Sequence, residues 1–314
     1  MFLTISNWLC MKPSYLNRLT LRQIQVFLAV CRLHSYSKAA EELALTQPAV
    51  SAQIRQLEAV IGESLFDYLG KQLYLTPVGL ALQRAGRDLL QRLVGLEMEL
   101  AELRGVMQGT LSLAVESSAQ YFMPAELSVF GAQHPAVAVV LEVVNHGEAL
   151  RRLRENLDDL VVMGQLPHDR ALAFTPFRDN ELIAVAAPDH PLARAQAIPL
   201  LQLSTEILLV REPGSGTRKA FDTYCHEQSV VFRRQRQLGS LEAIKRGVQA
   251  GLGIAILPRE ACAGELGAEQ LVLLDVRGLP LRRSWCAVYP RGKNLTPVAA
   301  AFLQHLTGQS GATV

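Results

Sequence analysis

Two stretches of the 314-residue chain place recognition chemistry at regular spacing. In the first, Gln47, Pro48, Ser51, Ala52 and Arg55 share the polar face of a helical pattern whose other face holds Val50, Ile54, Leu57 and Ile61. A glutamine amide can read adenine, a serine hydroxyl can reach a base or a phosphate, and an arginine can grip a phosphate or a guanine. Pro48 and Ala52 offer apolar surface to a thymine methyl. The second stretch is Arg211-Glu212-Pro213-Gly214-Ser215-Gly216-Thr217-Arg218, between a short apolar run and a helical pattern. Gly214 and Gly216 let backbone amides curl into an anion-accepting nest at a helix N-terminus, and Ser215, Thr217 and Arg218 add donors. Each stretch also has a plainer reading, as the polar face of an ordinary helical hairpin and as a tight turn with a capping threonine. Spacing alone leaves both open.

Catalytic chemistry finds little support. No GxSxG is present, and Gly251-Leu252-Gly253 precedes a strand pattern instead of following one, so it is not a dinucleotide fingerprint. The seven histidines never fall at metal-ligand spacing. The cysteines at 10, 31, 225, 262 and 286 form no CxxC pair and read as idle thiols in a reducing cytosol. The expectation is a protein that is not an enzyme and needs no metal or cofactor. A net charge of only +2 means that any claim of DNA binding must come from a local pattern. No apolar run approaches the length of a membrane span. Residues 1–18 read as an untargeted extension, because Met1–Cys10 lacks a charged n-region, and Met11 is a second candidate start. The expected location is the cytoplasm, on the nucleoid.

Around the first stretch, three helices follow in close succession. Thr20 caps the first, with Leu21, Ile24, Phe27, Leu28 and Cys31 on its apolar face. Ser37 is the expected cap of the second and a candidate DNA contact, and Thr46 is the expected cap of the third, which Gly62 ends. The tight Leu45-Thr46 turn makes the second and third a helix-turn-helix. A β-hairpin over Leu65–Thr76 follows, with Gly70-Lys71 at its tip and Lys71 within reach of a phosphate, so residues 19–76 are expected to form a winged helix-turn-helix. Residues 1–76 hold seven bases against five acids, a modest local charge, so oligomerisation should matter for affinity. A long helix is expected over 77–108. From Leu89 its apolar residues, Leu93, Leu96, Leu100, Leu103 and Met107, step by 4, 3, 4, 3 and 4, a coiled-coil seam. Pairing with a second copy would cover that stripe and read two half-sites by two-fold symmetry; packing on the chain's own C-terminal domain would cover it too.

From residue 109 strands and helices alternate, as in a doubly wound α/β domain. Two lobes are expected, one over about 110–178 and 277–314, the other over about 179–276, joined by crossings near Arg178 and Val276. Thr175–Phe177 is expected to be a short strand that leads to a break, with Leu182–Ala187 as the next strand. Ligands in such sheets bind beyond the C-terminal strand ends. Those positions are Ser117 and Ser118, Asn145, Gly164, the Arg211–Arg218 loop and, at another helix start, Ser240. They are expected to face one pocket between the lobes.

Taken in order, Thr-Leu-Arg-Gln-Ile-Gln-Val-Phe (20–27), Ser-Lys-Ala-Ala-Glu-Glu-Leu (37–43), Leu-Thr-Gln-Pro-Ala-Val-Ser (45–51), Leu-Glu (57–58), Leu-Phe (65–66) and Leu-Thr-Pro-Val-Gly (75–79) resemble the LysR-type transcriptional regulators. The resemblance implies a winged helix-turn-helix on double-stranded operator DNA, a linker coiled coil, and an effector domain like type 2 periplasmic binding proteins. It also implies homodimers assembled into homotetramers, contact with RNA polymerase as a further partner, and a small-molecule effector. Phe-Arg-Asp-Asn (177–180), Asp-His-Pro-Leu (189–192), 209–218, Glu-Ala-Ile-Lys (242–245), Ala-Gly-Leu-Gly-Ile (250–254) and Leu-Leu-Asp-Val (273–276) are most similar to regulators of RuBisCO operons, a subgroup that senses phosphorylated metabolites or NADPH. That subgroup usually has Lys where this chain has Gln120, and Arg at His146 and Gln165. The missing charges favour a carboxylate, monophosphate or nucleotide over a bisphosphate. The family also often shows Arg where Tyr68 stands. A solute-binding protein without a transcriptional role is the alternative, and residues 20–76 would be of no use to it.

Overall fold

The computed structural model describes residues 15–70, 72–164 and 169–308, which form two compact units meeting within one long helix, at Val94/Gly95. Lys71, Gln165 and the N-terminal extension to Ser14 lie outside the described residues.

In the N-terminal unit, α1 (Leu21–Leu33), α2 (Tyr36–Glu42) and α3 (Gln47–Ile61) precede a hairpin of β1 (Phe66–Leu69) and β2 (Gln72–Leu75). Thr20 starts α1 through a capping box with Gln23. Thr46 caps α3 ahead of Pro48 in the first turn, and Gly62, at φ 87°, ends it. The cap of α2 is Ser35, not Ser37: its Oγ accepts from the Lys38 amide. Tyr36 packs with its ring edge toward Phe66, which draws the helix start back by two residues. The core gathers Val26, Phe27, Val30, Val50, Ile54, Leu57, Leu65 and Leu73. Leu21, expected on the apolar face, is exposed instead. Glu58 reaches from α3 to accept the Leu65 amide, tying the hairpin to the helix.

The linker helix α4 (Pro77–Glu102) opens under Thr76, whose Oγ1 accepts from the Gly79 amide. It stops about five residues short of the expected end. Gly105, at φ 78°, turns the chain, and the Val106 amide reaches back to the Ala101 carbonyl, a Schellman arrangement. Met107 leaves the helical seam and packs on the core of the C-terminal unit.

In that unit nine of the described strands join one mixed sheet. Parallel β4 (Val137–Val144), β3 (Gly109–Glu116) and β5 (Leu160–Met163) form one half; parallel β8 (Gln235–Gln237), β7 (Leu208–Val210) and β9 (Ile254–Pro258) form the other. Between them run two long antiparallel strands, β6 (Leu172–Ala186) and β11 (Leu281–Pro290), with the two-residue β10 (Val272–Leu273) beside β6. Each half is covered on both faces, as four separate cores record: two gather residues of the first lobe and two gather residues of the second. The covering helices include α5 (Met123–Gln133), α6 (His146–Arg154) and α11 (Pro297–Gly308) on the first lobe. The second carries α7 (Leu200–Leu203), α8 (Gly216–Glu227), α9 (Leu241–Gln249) and α10 (Ala263–Gly267).

Two expectations for this unit change. The break expected after Phe177 is a register shift opposite Trp285 and Cys286, and β6 continues through it. The second crossing lies in β11, not near Val276, which is buried in the second lobe's core.

Candidate functional site

The polar face of α3 is open. Gln47, Pro48, Arg55 and Gln56 are exposed and Ser51 and Ala52 half-exposed, over the buried Val50, Ile54 and Leu57. Gln47 Nε2 donates to Ser51 Oγ at 2.9 Å, so the two residues at the helix start present one joint donor–acceptor surface. Ser37 sits in the first turn of α2, half a turn inside its cap. The hairpin exposes Tyr68 and Leu69 beside Gly70. A helix start dressed this way, with a hairpin behind it, suits a DNA major groove.

In the C-terminal unit the expected residues separate into those that converge and those that do not. Arg211, 6% exposed, follows β7 and donates Nη2 to Ser117 Oγ of the other lobe at 3.1 Å. Its Nε and Nη2 also hold Glu212, at 2.7 and 2.8 Å, and Nη1 is buried without a hydrogen-bond partner among the described residues. Arg218 donates to the Arg211 carbonyl at 2.8 Å, and its own amide points at Ser215 Oγ, the cap of α8. Arg211, Thr217 and Arg218 line a cavity of about 20 Å3, room for one water. Ser215 and Thr217 are buried at the α8 N-terminus, where partial positive charge gathers.

Asn145 and Ser240 are exposed and spend their oxygens on caps, Asn145 for the Glu148 amide and Ser240 for the Ala243 amide. Ser118 is buried in the turn after β3. Gly164 donates its amide to Glu116 Oε2 at 2.9 Å.

Several polar groups in this region were not among the expected site residues. Glu116 closes β3, and its Oε1 meets His146 Nδ1 at 2.7 Å, with both residues buried. Asn180 and Arg283 face each other in register on β6 and β11. Burial pulls the Arg283 guanidinium down to about 10, against the charge of Glu116. An acid at the end of an apolar strand was a readable signal for Glu116. The Asn180–Arg283 pairing was not readable, because it depends on strand register.

Three further contacts join the lobes. Tyr121 donates to Glu242 at 2.5 Å, Lys245 lies 4.7 Å from the centre of the Tyr121 ring, and Arg178 bridges Glu126 and Glu260 at 3.0 and 2.5 Å. Burial, then the bond to Glu242, pushes the Tyr121 phenol up to about 12. Burial works against the charge of Lys245, but Glu242 and Glu265 outweigh it and raise its pKa. Among the described residues no group of His, Cys, Asp and Glu suits a metal ion, and no helix is long and apolar enough to cross a membrane.

A winged helix-turn-helix, a linker helix and a two-lobed α/β unit with a polar interface between its lobes define a DNA-binding regulator of the ligand-responsive type. The model of the lysR-family bacterial regulatory helix-turn-helix matches residues 21–80, and that of the LysR substrate binding domain matches residues 104–311. The chain therefore belongs to the LysR family of transcriptional regulators. It is 43% identical over 291 residues to the RuBisCO operon transcriptional regulator of Acidithiobacillus ferrooxidans, covering 93% of this chain and 94% of that one. The corresponding regulator of Allochromatium vinosum is 42% identical over 291 residues, 93% of this chain and 96% of its own. Among solved structures, the regulatory domain of Synechocystis PCC6803 CcmR in complex with 2-PG is 37% identical, with a TM-score of 0.62, covering 65% of this chain and 98% of that one. Full-length CbnR complexed with its target DNA shares the fold, with a TM-score of 0.64 at 20% identity, over 93% of this chain and 100% of that one. The named relatives are regulators, not enzymes.

Proposed function

We propose that this regulator controls a carbon-dioxide-fixation operon in response to a small anionic metabolite held between the lobes of its C-terminal unit. One observation carries the effector half of this reading. Arg211, in the loop that leads from β7 to α8, reaches across to Ser117 and keeps Nη1 buried with no partner among the described residues. A carboxylate or a single phosphate group satisfies that donor and the amides beside Ser215 and Thr217. Glu212 already holds two nitrogens of the same guanidinium, which limits the charge left for a bisphosphate. The relative solved with 2-PG supports a small phosphorylated acid or a similar carboxylate, and a nucleotide is the larger alternative.

The DNA half rests on α3. The exposed leucines of α4, at positions 89, 93, 96 and 100, favour pairing of two copies through that helix and support a homodimer that assembles to a homotetramer. Such a regulator works on the nucleoid in the cytoplasm, with RNA polymerase as a further partner at the promoter. An effector that binds one lobe arrangement better than the other shifts the DNA complex by that difference in affinity.

Footprinting on the promoter of the adjacent operon tests both halves. The expected result is a protected site whose pattern changes with one of 2-PG, 3-phosphoglycerate, malate or NADPH, but not with fructose 1,6-bisphosphate. Absence of any protected site overturns the DNA reading. A footprint indifferent to the whole panel overturns effector gating.

A further inference from the structure

The first lobe contains a second buried polar group that the anion does not use. Glu116 is 7% exposed and His146 6% exposed. Both oxygens of Glu116 are engaged, Oε1 by His146 Nδ1 and Oε2 by the Gly164 amide. A carboxylate only accepts, so an imidazole hydrogen is assigned to Nδ1, which leaves Nε2 as the ring's second hydrogen-bonding atom. Nε2 is itself buried and has no hydrogen-bond partner among the described residues. On β6, Asn180 is 2% exposed with neither amide atom partnered among the described residues. Its Nδ2 lies so close over Gly164 that a Cβ there would stand 2.3 Å away. His146, Glu116, Gly164 and Asn180 thus form a continuous polar floor.

This floor joins the anion site through the backbone. Ser117, which takes Arg211 Nη2, is the next residue after Glu116. Glu116 and Ser117, one from each set, therefore sit next to each other where β3 ends. A hydroxyl suits the floor better than an anionic oxygen does, because it both donates and accepts and so can pair with His146 Nε2 and with either atom of the Asn180 amide, whereas an anionic oxygen only accepts. A second carboxylate would bring its charge toward Glu116.

We propose that Glu116 and His146, with Asn180, form a hydroxyl-selective subsite, and that the effector is a small hydroxylated acid that pairs one anionic group on Arg211 with a hydroxyl on His146. This rests on the reading above that the lobe interface takes a small anion. His146 touches the ligand; Glu116 is a positioning residue that orients the ring.

Two probe pairs that differ only in one hydroxyl test it by calorimetry on the full chain: 3-phosphoglycerate against 3-phosphonooxypropanoate, and malate against succinate. In at least one pair the hydroxylated member should bind at least tenfold tighter, since a site built to hydrogen-bond a hydroxyl rejects the analogue lacking it. In His146→Asn the amide keeps a donor for Glu116 but removes Nε2. That variant should bring the hydroxylated member down to within about twofold of its deoxy partner, the discrimination having no remaining source. Equal affinities in the parent protein, or a preference that survives His146→Asn, overturn the subsite while leaving the anion site standing. Failure of all four probes to bind overturns the anion site and the subsite together.

Discussion

Arg211 and Ser117 sit on different lobes and meet at 3.1 Å, so the guanidinium proposed to take the effector also holds the lobes together. A ligand on Nη1 leaves this contact in place and adds a second, which couples occupancy to closure without any long relay. Ser117→Ala removes the acceptor from a nearly buried charged donor. The expected cost is about 1 kcal/mol, below the usual value for a bond to a charged group because Ser117 is half-exposed. Hydrogen exchange should quicken at 117–121 and 211–218 together. Faster exchange in only one of these segments would show that the contact does not clasp the lobes.

The start of α3 gives a second expectation. Gln47 and Ser51 are linked at 2.9 Å, so the two should act as a unit. Gln47→Ala and Ser51→Ala should each weaken specific operator binding by about 1–3 kcal/mol, with the double variant losing less than the sum. Arg55→Ala should weaken binding to all DNA and reduce the salt slope by about one. Gel-shift titrations at several salt concentrations measure both. Unchanged operator affinity in the two single variants would remove α3 from the base-reading role.

The parts legible in the sequence were those carried by local rules. Thr20, Thr46 and Gly62 mark helix ends by capping chemistry, and the apolar steps of α3 match its buried face. The errors came where tertiary packing decided between equal local signals. Ser35 and Ser37 were both adequate caps until Tyr36 packed near Phe66. The leucine seam continued past Glu102 on paper, but Gly105 ended the helix and Met107 went to another core. Strand β6 was read as two pieces because Pro176 and the polar run Arg178 to Glu181 interrupt its apolar pattern where the strand passes between the lobes. Of the residues the strand-end rule named, Ser117 and Arg211 meet across the lobes, while Asn145 and Ser240 spend their side-chain oxygens as helix caps. The His146–Glu116 bond spans thirty residues and depends on parallel register, which no local spacing encodes.

Gly79 opens α4 where the helix passes the hairpin. A Cβ there would stand 2.2 Å from the Leu65 carbonyl oxygen and 2.9 Å from the Leu75 side chain. Backbone cannot yield as a flexible side chain does, so Gly79→Ala should destabilise the N-terminal unit by about 2 kcal/mol or more, despite its gain in helix propensity. Urea unfolding followed by circular dichroism would register a lower midpoint. A rise in stability would mean that the hairpin moves freely against α4.

The buried thiols predict the behaviour at high pH. Burial pushes Cys31, Cys225 and Cys262 up to about 12, and raises Cys286 as well. A raised pKa means that the folded state holds its proton more tightly than the unfolded chain, whose thiols titrate near 9.0. The associated stability is complete below pH 9 and is lost as the pH climbs toward 12. Tyr121, also raised to about 12, adds to the same loss from its ordinary value of 10.0 upward. Unfolding free energy should therefore be flat through neutral pH and fall steadily above pH 9. At pH 8 a thiol reagent should label these four cysteines only as fast as the protein opens, because the thiolate is the nucleophile and burial suppresses it. Urea should release all four at once. Fast labelling of any of them in the folded protein at pH 8 would show that its shell admits solvent and that its thiol is not held protonated.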